Sequence, residues 1–584
     1  MLRITLLSCG ILLQSCTDAP VDPIPVQPDM VPPHTFGWEL VTTGTLLTGV
    51  WSHSDMFTFI VGKRGTILRF DGERLHPMES PTAMDLRAIW GGSGNRIFAV
   101  GERFIILQYD GVEWREVTRI PGNLGSYWDI FGLPGGSIYA VGDFGFICHY
   151  DGTRWSITDS VTSERLNGVW GSGESDIYAV GNSGTLLHKD GLGWREMESP
   201  SNGNFTDIWG TSWNNIYAAD VHGNIFHFDG DTWEVDEQFP DEAFSKIWGT
   251  AADTIYAAGI YGSLLCYDGT EWHTLTSPVE VSLLDIHGSS PHNILAVGAS
   301  GTVIHSSGYD WETVASGYTN DLYDVWAYDE DEVYAVGRLG TILFYDGESW
   351  QEMESGTHNS LYGIWGASWD DIYAVGTSGV LLHYNGGTWS IDGFQAEDHL
   401  YDVWGSSWRN VYAVGRNGVI CHYDGIEWKQ MDSPTSNDLN GVWIDPSGRV
   451  YAVGREGTIL AYIDGSWITI PTGMSNTLEA IWGSRSNDIY AVGSVGVVFR
   501  FDGAAWNQVV SWTSTGLNGV HGISSNDIFA VGFSGTITHY NGARWKTMKS
   551  LTKQSLTGVW QNSKYDVFTV GRSGTILHYG PLSD

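Results

Sequence analysis

The chain has 584 residues, among them 75 glycines and 29 tryptophans, with 17% charged residues and a formal net charge of −39. That acidity excludes a general nucleic-acid binder, which needs a basic footprint, and broad adhesion to anionic lipid. Glycine in tight turns and tryptophan in cores favour many short strands over long helices. The negative charge otherwise reads as solubility of a large surface, or as attraction for a cationic partner or divalent cations.

At the N-terminus, Arg3 precedes an apolar run from Ile4 to Leu13. The run is too short to span a bilayer, so residues 1–15 read as a cleaved signal segment. Leu13-Gln14-Ser15-Cys16 resembles the bacterial lipoprotein box, which implies lipidation at Cys16. Ordinary cleavage nearby, with Cys16 unmodified, is the alternative. Thr17 follows the cysteine, and by family analogy this implies outer-membrane or cell-surface sorting. Residues 16–34 carry Pro20, Pro23, Pro25, Pro28, Pro32 and Pro33 and read as an extended tether that cannot enter a sheet. The expected product is exported and meets the membrane through its lipid alone.

Beyond the tether a repeat governs the chain. An aromatic residue or histidine in "L-x-x-V/I-W-G" falls at Trp51, Trp90, Phe131, Trp170, Trp209, Trp248, His287, Trp326, Trp365, Trp404, Trp443, Trp482, His521 and Trp560. The interval is 39 residues throughout, except 41 between Trp90 and Phe131. In the unit starting at Leu400, Leu400 to Gly405 predicts a first strand and Asn410 to Val414 a second. Gly415-Arg416-Asn417-Gly418 predicts a hairpin turn, and Val419 to Tyr423 a third strand. Asp424-Gly425 is the next turn, and Trp428 opens a fourth strand. Four antiparallel strands repeated at this period predict an all-β chain of fourteen propeller blades whose faces pack on their neighbours.

Fourteen blades exceed the usual ring, so two seven-bladed β-propellers in tandem are expected, over 35–307 and 308–584, with one fourteen-bladed ring as the alternative. The chain begins with a fourth strand at Trp38 and ends after a third strand at Thr575–Tyr579. In one ring those two strands pair. In two rings, residues 38–41 are expected beside Thr302–Ser306, and the Trp311 strand beside 575–579. The loss of the Asp-Gly signal at His305-Ser306-Ser307-Gly308 favours a crossing there.

Units such as Gly340 to Met353 (GTILFYDGESWQEM) resemble Asp-box, or BNR-like, propeller repeats, as found in sialidases and in the photosystem II stability/assembly factor group. The matching pieces are the third strand, the Asp-Gly turn and the tryptophan after it; the full Asp-box serine is mostly absent. A looser likeness is to tectonin-type lectin repeats. The resemblance implies a propeller, and fold does not carry activity with it. Sialidases also need an arginine triad, a tyrosine–glutamate pair and an aspartate; the lone Arg119-Ile120-Pro121 reads as coincidence.

No phosphate loop, zinc spacing, calcium loop or nucleophile elbow occurs, so neither metal nor cofactor is expected. Cys148, Cys266 and Cys421 read as core residues and not as disulfides. The recurrent third-strand histidines, His149, His188, His227, His305, His383, His422, His539 and His578, read as hydrogen-bonded structural groups. Two sets of deviations mark candidate binding residues. Arg338, Arg416, Arg455 and Arg572 occupy turns between second and third strands, on one propeller face, where guanidinium groups could grip carboxylates or phosphates. Trp213, Trp369 and Trp408 occupy loops on the opposite face, where they could stack on sugars or anchor a protein. The expected function is a non-catalytic envelope lipoprotein whose faces bind protein or glycan. A carbohydrate-active hydrolase or lyase with a site in a ring mouth, and a structural spacer, are the alternatives.

Overall fold

The computed structural model describes residues 36–581 except 43, 73, 119–123, 159–160, 309, 316 and 319. The signal segment, Cys16, the tether and Arg119-Ile120-Pro121 lie outside the described residues. Every strand belongs to one of fourteen four-stranded antiparallel sheets, and no α-helix occurs among the described residues. In the blade that opens at Leu400, the strands are Leu400–Ser407, Asn410–Gly415, Ile420–Tyr423 and Trp428–Met431. Gly418 closes the turn between the second and third at φ +75°, where a Cβ would collide with the Thr435 carbonyl. At the next turn, Asp424 Oδ1 accepts the N–H groups of Ile426 and Glu427 at 3.0 and 3.1 Å, and Gly425 supplies φ +88°. These are the reasons the Gly-x-x-Gly and Asp-Gly signals recur.

First strands touch in two closed circuits. Blades 1–7 begin at Leu47, Leu86, Tyr127, Leu166, Phe205, Phe244 and Leu283; blades 8–14 begin at Leu322, Leu361, Leu400, Leu439, Leu478, Leu517 and Leu556. Blade 1 meets blade 7 through Val50 N–H to Asp285 Oδ2, 2.7 Å, and Ser52 N–H to His287 Nδ1, 3.1 Å. Blade 14 meets blade 8 through Thr557 Oγ1, which donates to the Leu322 carbonyl at 2.7 Å.

Two aromatic layers join neighbouring blades. Near the axis, the first-strand tryptophan lies over the glycine that follows the same aromatic position in the next blade. A Cβ on Gly91 would come within 2.6 Å of the Trp51 ring, and one on Gly483 within 2.7 Å of Trp443. At the outside, Trp428 packs on Tyr423 at 5.5 Å between centroids and edge-on to Tyr373 of the preceding blade at 6.0 Å. Each buried ring contributes up to about 3 kcal/mol, so stability resides in the seams between blades.

The strand exchange differs from expectation. Phe36–Thr42 pairs antiparallel with Ile576–Pro581 and completes blade 14. Trp311–Ala315 stays in blade 7, beside Val303–Ser306. From Phe36 to Pro581 the chain therefore passes from the second ring through the whole first ring and back. The weakened signal at Ser306-Ser307-Gly308 is no crossing: Gly308 still supplies φ +97°, and the Ser306 hydroxyl accepts the Gly308 N–H at 3.2 Å in place of the missing Asp. Where the rings touch, Gln554 Nε2 donates to Thr45 Oγ1 at 2.9 Å and Lys549 pairs with Glu79 at 2.9 Å.

Candidate functional site

The first strand of each blade lines its ring's axis. Counting the opening residue as position 1, position 2 stands at the mouth, position 3 lies below it, and position 5 carries the aromatic. In five blades position 2 stitches to the next blade's opening carbonyl: Asn440 Nδ2 donates to the Leu478 carbonyl at 3.0 Å, and Asn518 Nδ2 to the Leu556 carbonyl at 2.8 Å, as do Thr48, Asn167 and Thr557 to theirs. In blades 8, 9 and 10 position 2 is Tyr323, Tyr362 and Tyr401 instead. The three rings form an arc, with centroids 4.9 and 5.7 Å apart. At position 3 of blades 8 and 10 stand Asp324 and Asp402. Asp324 Oδ2 accepts the Ile364 N–H at 3.0 Å. Asp402 accepts Val442 N–H at 2.7 Å and Val403 N–H at 2.8 Å.

This mouth opens into a well of about 610 Å³. Its base is aromatic because the tryptophan–glycine seam fails at two places. Ile444 follows Trp443, and Ala327 follows Trp326, where glycine would seat the ring of the preceding blade. Trp404 and Trp560 accordingly meet across the axis, 5.9 Å apart, with His521 stacked on Trp560 at 4.0 Å. Burial pushes the Asp402 carboxyl up to about 7. Burial, then the charge of Asp402, raises Asp324 well above the ordinary range. Glu479, which accepts a hydrogen bond from Asn440 at 3.0 Å, is raised by burial too. Burial pulls His521 down to about 3, so the base is neutral.

The first ring carries the same acids and fills the space between them. Lys246 Nζ bonds Asp129 Oδ1 and Asp207 Oδ1, both at 3.1 Å. Burial opposes the ammonium charge, but Asp129 and Asp207 outweigh it and raise the lysine pKa. Asp285 is pushed by burial up to about 6, against the pull of Lys246. Above them Trp128 is sandwiched between Arg87 and Arg165, whose guanidinium carbons lie 3.9 and 4.3 Å from its ring centre. This mouth encloses about 350 Å³.

Arg338, Arg416, Arg455 and Arg572 all lie on the tyrosine face of the second ring. Arg455 lines the well and pairs with Asp438 at 3.0 Å. Arg572 of blade 14 pairs at 2.6 Å with Asp321, just ahead of blade 8. Arg416 is 3.9 Å from Asp398. Carboxylates thus already neutralise much of this rim. Trp213, Trp369 and Trp408 are exposed but not gathered: Trp213 belongs to the first ring, the others to blades 9 and 10. Trp213 covers Gly230 in its own blade's outer turn, and Trp408 carries the Arg409 guanidinium 4.2 Å above its ring. The third-strand histidines bond the start of the second strand, as His383 does to Asp371 at 2.6 Å and His422 to Asn410 at 2.9 Å. Among the described residues no cluster of three His, Cys, Asp or Glu could hold a metal.

No protein-family profile matches the chain. No curated protein matches it by sequence. Among solved structures, a GH74 enzyme from Niastella koreensis is similar at TM-score 0.71 and 13% identity, over 94% of this chain and 100% of that one. PorZ of Porphyromonas gingivalis, a surface component of the type-IX secretion system, is similar at TM-score 0.62 and 11% identity, over 93% of this chain and 86% of that one. YCF48 from Cyanidioschyzon merolae aligns at TM-score 0.40 and 18% identity, over 45% of this chain and 97% of that one. At such identities the first two likenesses establish the β-propeller fold, and activity must be argued from the site.

Proposed function

We propose that this is a non-catalytic binding protein of the cell envelope, exported and anchored through a lipid on Cys16, whose ligand seat is the well of the second ring. The observation that carries the reading is a cavity open at a tyrosine arc and closed below by Trp404, His521 and Trp560. Concave sites with aromatic walls and a few convergent polar groups are where ligands bind. Protein is the favoured ligand class, and glycan recognition uses the same aromatic surfaces. The carboxylates in the well hold backbone N–H groups of the next blade, a structural duty repeated at Asp129 and Asp207 in the first ring. Binding of a peptide library and a glycan array by wild type, lost in Tyr362→Ala, is the expected result; blank arrays with both probes overturn the reading. Labelling with a fatty-acid analogue should mark wild type and not Cys16→Ala, and equal signal removes the anchor.

One observation favours a second reading. Asp324 and Asp402 share one well, and burial raises both carboxyls above the ordinary range. An acid and a base facing one cavity is the arrangement of glycoside hydrolysis. Release of reducing ends from polysaccharides by wild type but not Asp402→Asn would establish that activity, and no release by either would remove it.

A further inference from the structure

The two rings repeat one another along their axes. In the first, position 3 reads Asp129, Gly168, Asp207 and Lys246 in consecutive blades; in the second it reads Asp324, Gly363, Asp402 and Gly441. Both series keep the 39-residue interval, so the two acids and the fourth position are equivalent in the two rings. The carboxylates behave alike: Asp129 accepts Val169 N–H at 2.9 Å and Asp207 accepts Ile247 N–H at 3.1 Å, as Asp324 and Asp402 do with Ile364 and Val442. Two things differ: the first ring has a further acid, Asp285, where the second has Ala480, and it has the cation. Lys246 bridges the first pair, and Gly441 brings no side chain to the second.

Resting on the reading of the well as a binding site, we infer that the ligand is a protein segment carrying a lysine, whose ammonium sits between Asp324 and Asp402 as Lys246 sits between Asp129 and Asp207. The rest of the well suits that occupant. Tyr323, Tyr362 and Tyr401 offer aromatic rings to the aliphatic stem and to the charge. Trp404 and Trp560 form an apolar base, and neutral His521 adds no opposing charge. Glu479 adds a further carboxyl near the mouth, and Arg455, a cation lining the well, is neutralised by Asp438. A net charge of −39 draws a basic segment toward the protein before it docks. A metal ion is a poorer occupant, because among the described residues no third ligand joins the two carboxylates.

The test is calorimetric titration of the purified full chain with the peptide acetyl-Gly-Gly-Lys-Gly-Gly-amide and with the same peptide carrying Nε-acetyl-lysine. Removing the ammonium should weaken binding by about tenfold or more, and Asp324→Asn or Asp402→Asn should weaken the lysine peptide comparably. Gly441→Lys supplies the missing lysine in cis and should abolish binding; should that variant misfold by circular dichroism, the two Asn variants decide. Equal affinity for both peptides, no binding of the lysine peptide, or an unchanged affinity in Asp402→Asn each overturns the inference. An array ligand that needs Tyr362 but ignores Asp402 would leave the binding reading standing and remove this one. The absence of any Tyr362-dependent ligand removes the binding reading itself.

Discussion

His521 lies flat on Trp560, ring centroids 4.0 Å apart and planes 21° from parallel, and its Nδ1 accepts the Gln561 N–H at 3.0 Å. The same exchange occurs in the first ring, where His287 Nδ1 accepts the Ser52 N–H at 3.1 Å. Histidine replaces tryptophan at these two seams, and in both the next blade carries a larger residue where glycine is the rule. A tryptophan needs bare backbone beneath it; an imidazole does not, and it bonds that backbone instead. Both imidazoles are neutral, burial pulling each down to about 3.

That rule predicts a rescue. His521→Trp should cost about 1–3 kcal/mol by overpacking against Gln561. The double variant His521→Trp/Gln561→Gly should recover most of it, a coupling read from denaturant unfolding. Additive losses would show that the two positions do not share a seat.

Ile444 and Trp404 make the converse case. Ile444→Gly reopens the place between blades 10 and 11, and Trp404 is expected to leave the axis and fill it. The variant should therefore lose less than the about 2–5 kcal/mol that truncation of a buried aliphatic ordinarily costs. Near-ultraviolet circular dichroism should record the separation of Trp404 from Trp560. A full cavity penalty with an unchanged spectrum would refute the displacement.

Much of this was legible in the sequence, and the reasons for the remainder are local. The 39-residue interval, the Gly-x-x-Gly and Asp-Gly turns and the opening tryptophans mark the strands because each reports a backbone need. The ring closure was legible too: Gln561 after Trp560 answers His521 in the blade before it, and Ser52 after Trp51 answers in the same way His287 of blade 7, which marks blades 7 and 1 as neighbours. The passage of Phe36–Thr42 into the second ring had no such mark, because every third strand offers an equivalent edge. The well was hidden for a different reason. Asp324 and Asp402 occur in a column that also holds Asp129, Asp207 and Asp285, so they read as structural, and only the pairing of Lys246 with Gly441 across the two rings sets them apart.

The pH dependence of stability follows from the same acids. Asp402 rises from the ordinary 3.8 to about 7 on burial, and Asp324 shifts the same way. A raised folded-state pKa gives stability that is complete below pH 3.8 and lost as pH rises through about 7. Across that window the folded chain holds more protons than the unfolded one, so unfolding free energy should fall by up to about 1.4 kcal/mol per pH unit for each group. Asp402→Asn should flatten the decline while lowering stability in acid, where one backbone N–H faces an amide donor. Identical pH profiles for the variant and wild type would contradict the assignment.

Removing Phe36–Thr42 should affect the second ring alone. The strand supplies the outer edge of blade 14 by pairing with Ile576–Pro581, and without it that edge exposes unpaired backbone. Hydrogen exchange should accelerate at Ile576–Pro581 and stay slow at Val303–Ser306, which keeps Trp311–Ala315 beside it. Equal acceleration in both would mean that the rings unfold as one unit.

Lys246→Gly would turn the first ring's axis into a counterpart of the second, where Gly441 stands at that position. Asp129 and Asp207 would lose the ammonium that each now bonds at 3.1 Å, and stranding buried carboxylates costs about 3–5 kcal/mol. The loss should be smaller at acid pH, where the acids can protonate, and larger near neutrality. n-Butylammonium, which reproduces the missing stem and charge, should raise the melting temperature of the variant by mass action while leaving wild type unmoved. Butanol, of the same shape without the charge, should not. Rescue by both compounds would mean that the space is filled for its volume, and the electrostatic account of both axes would fall with it.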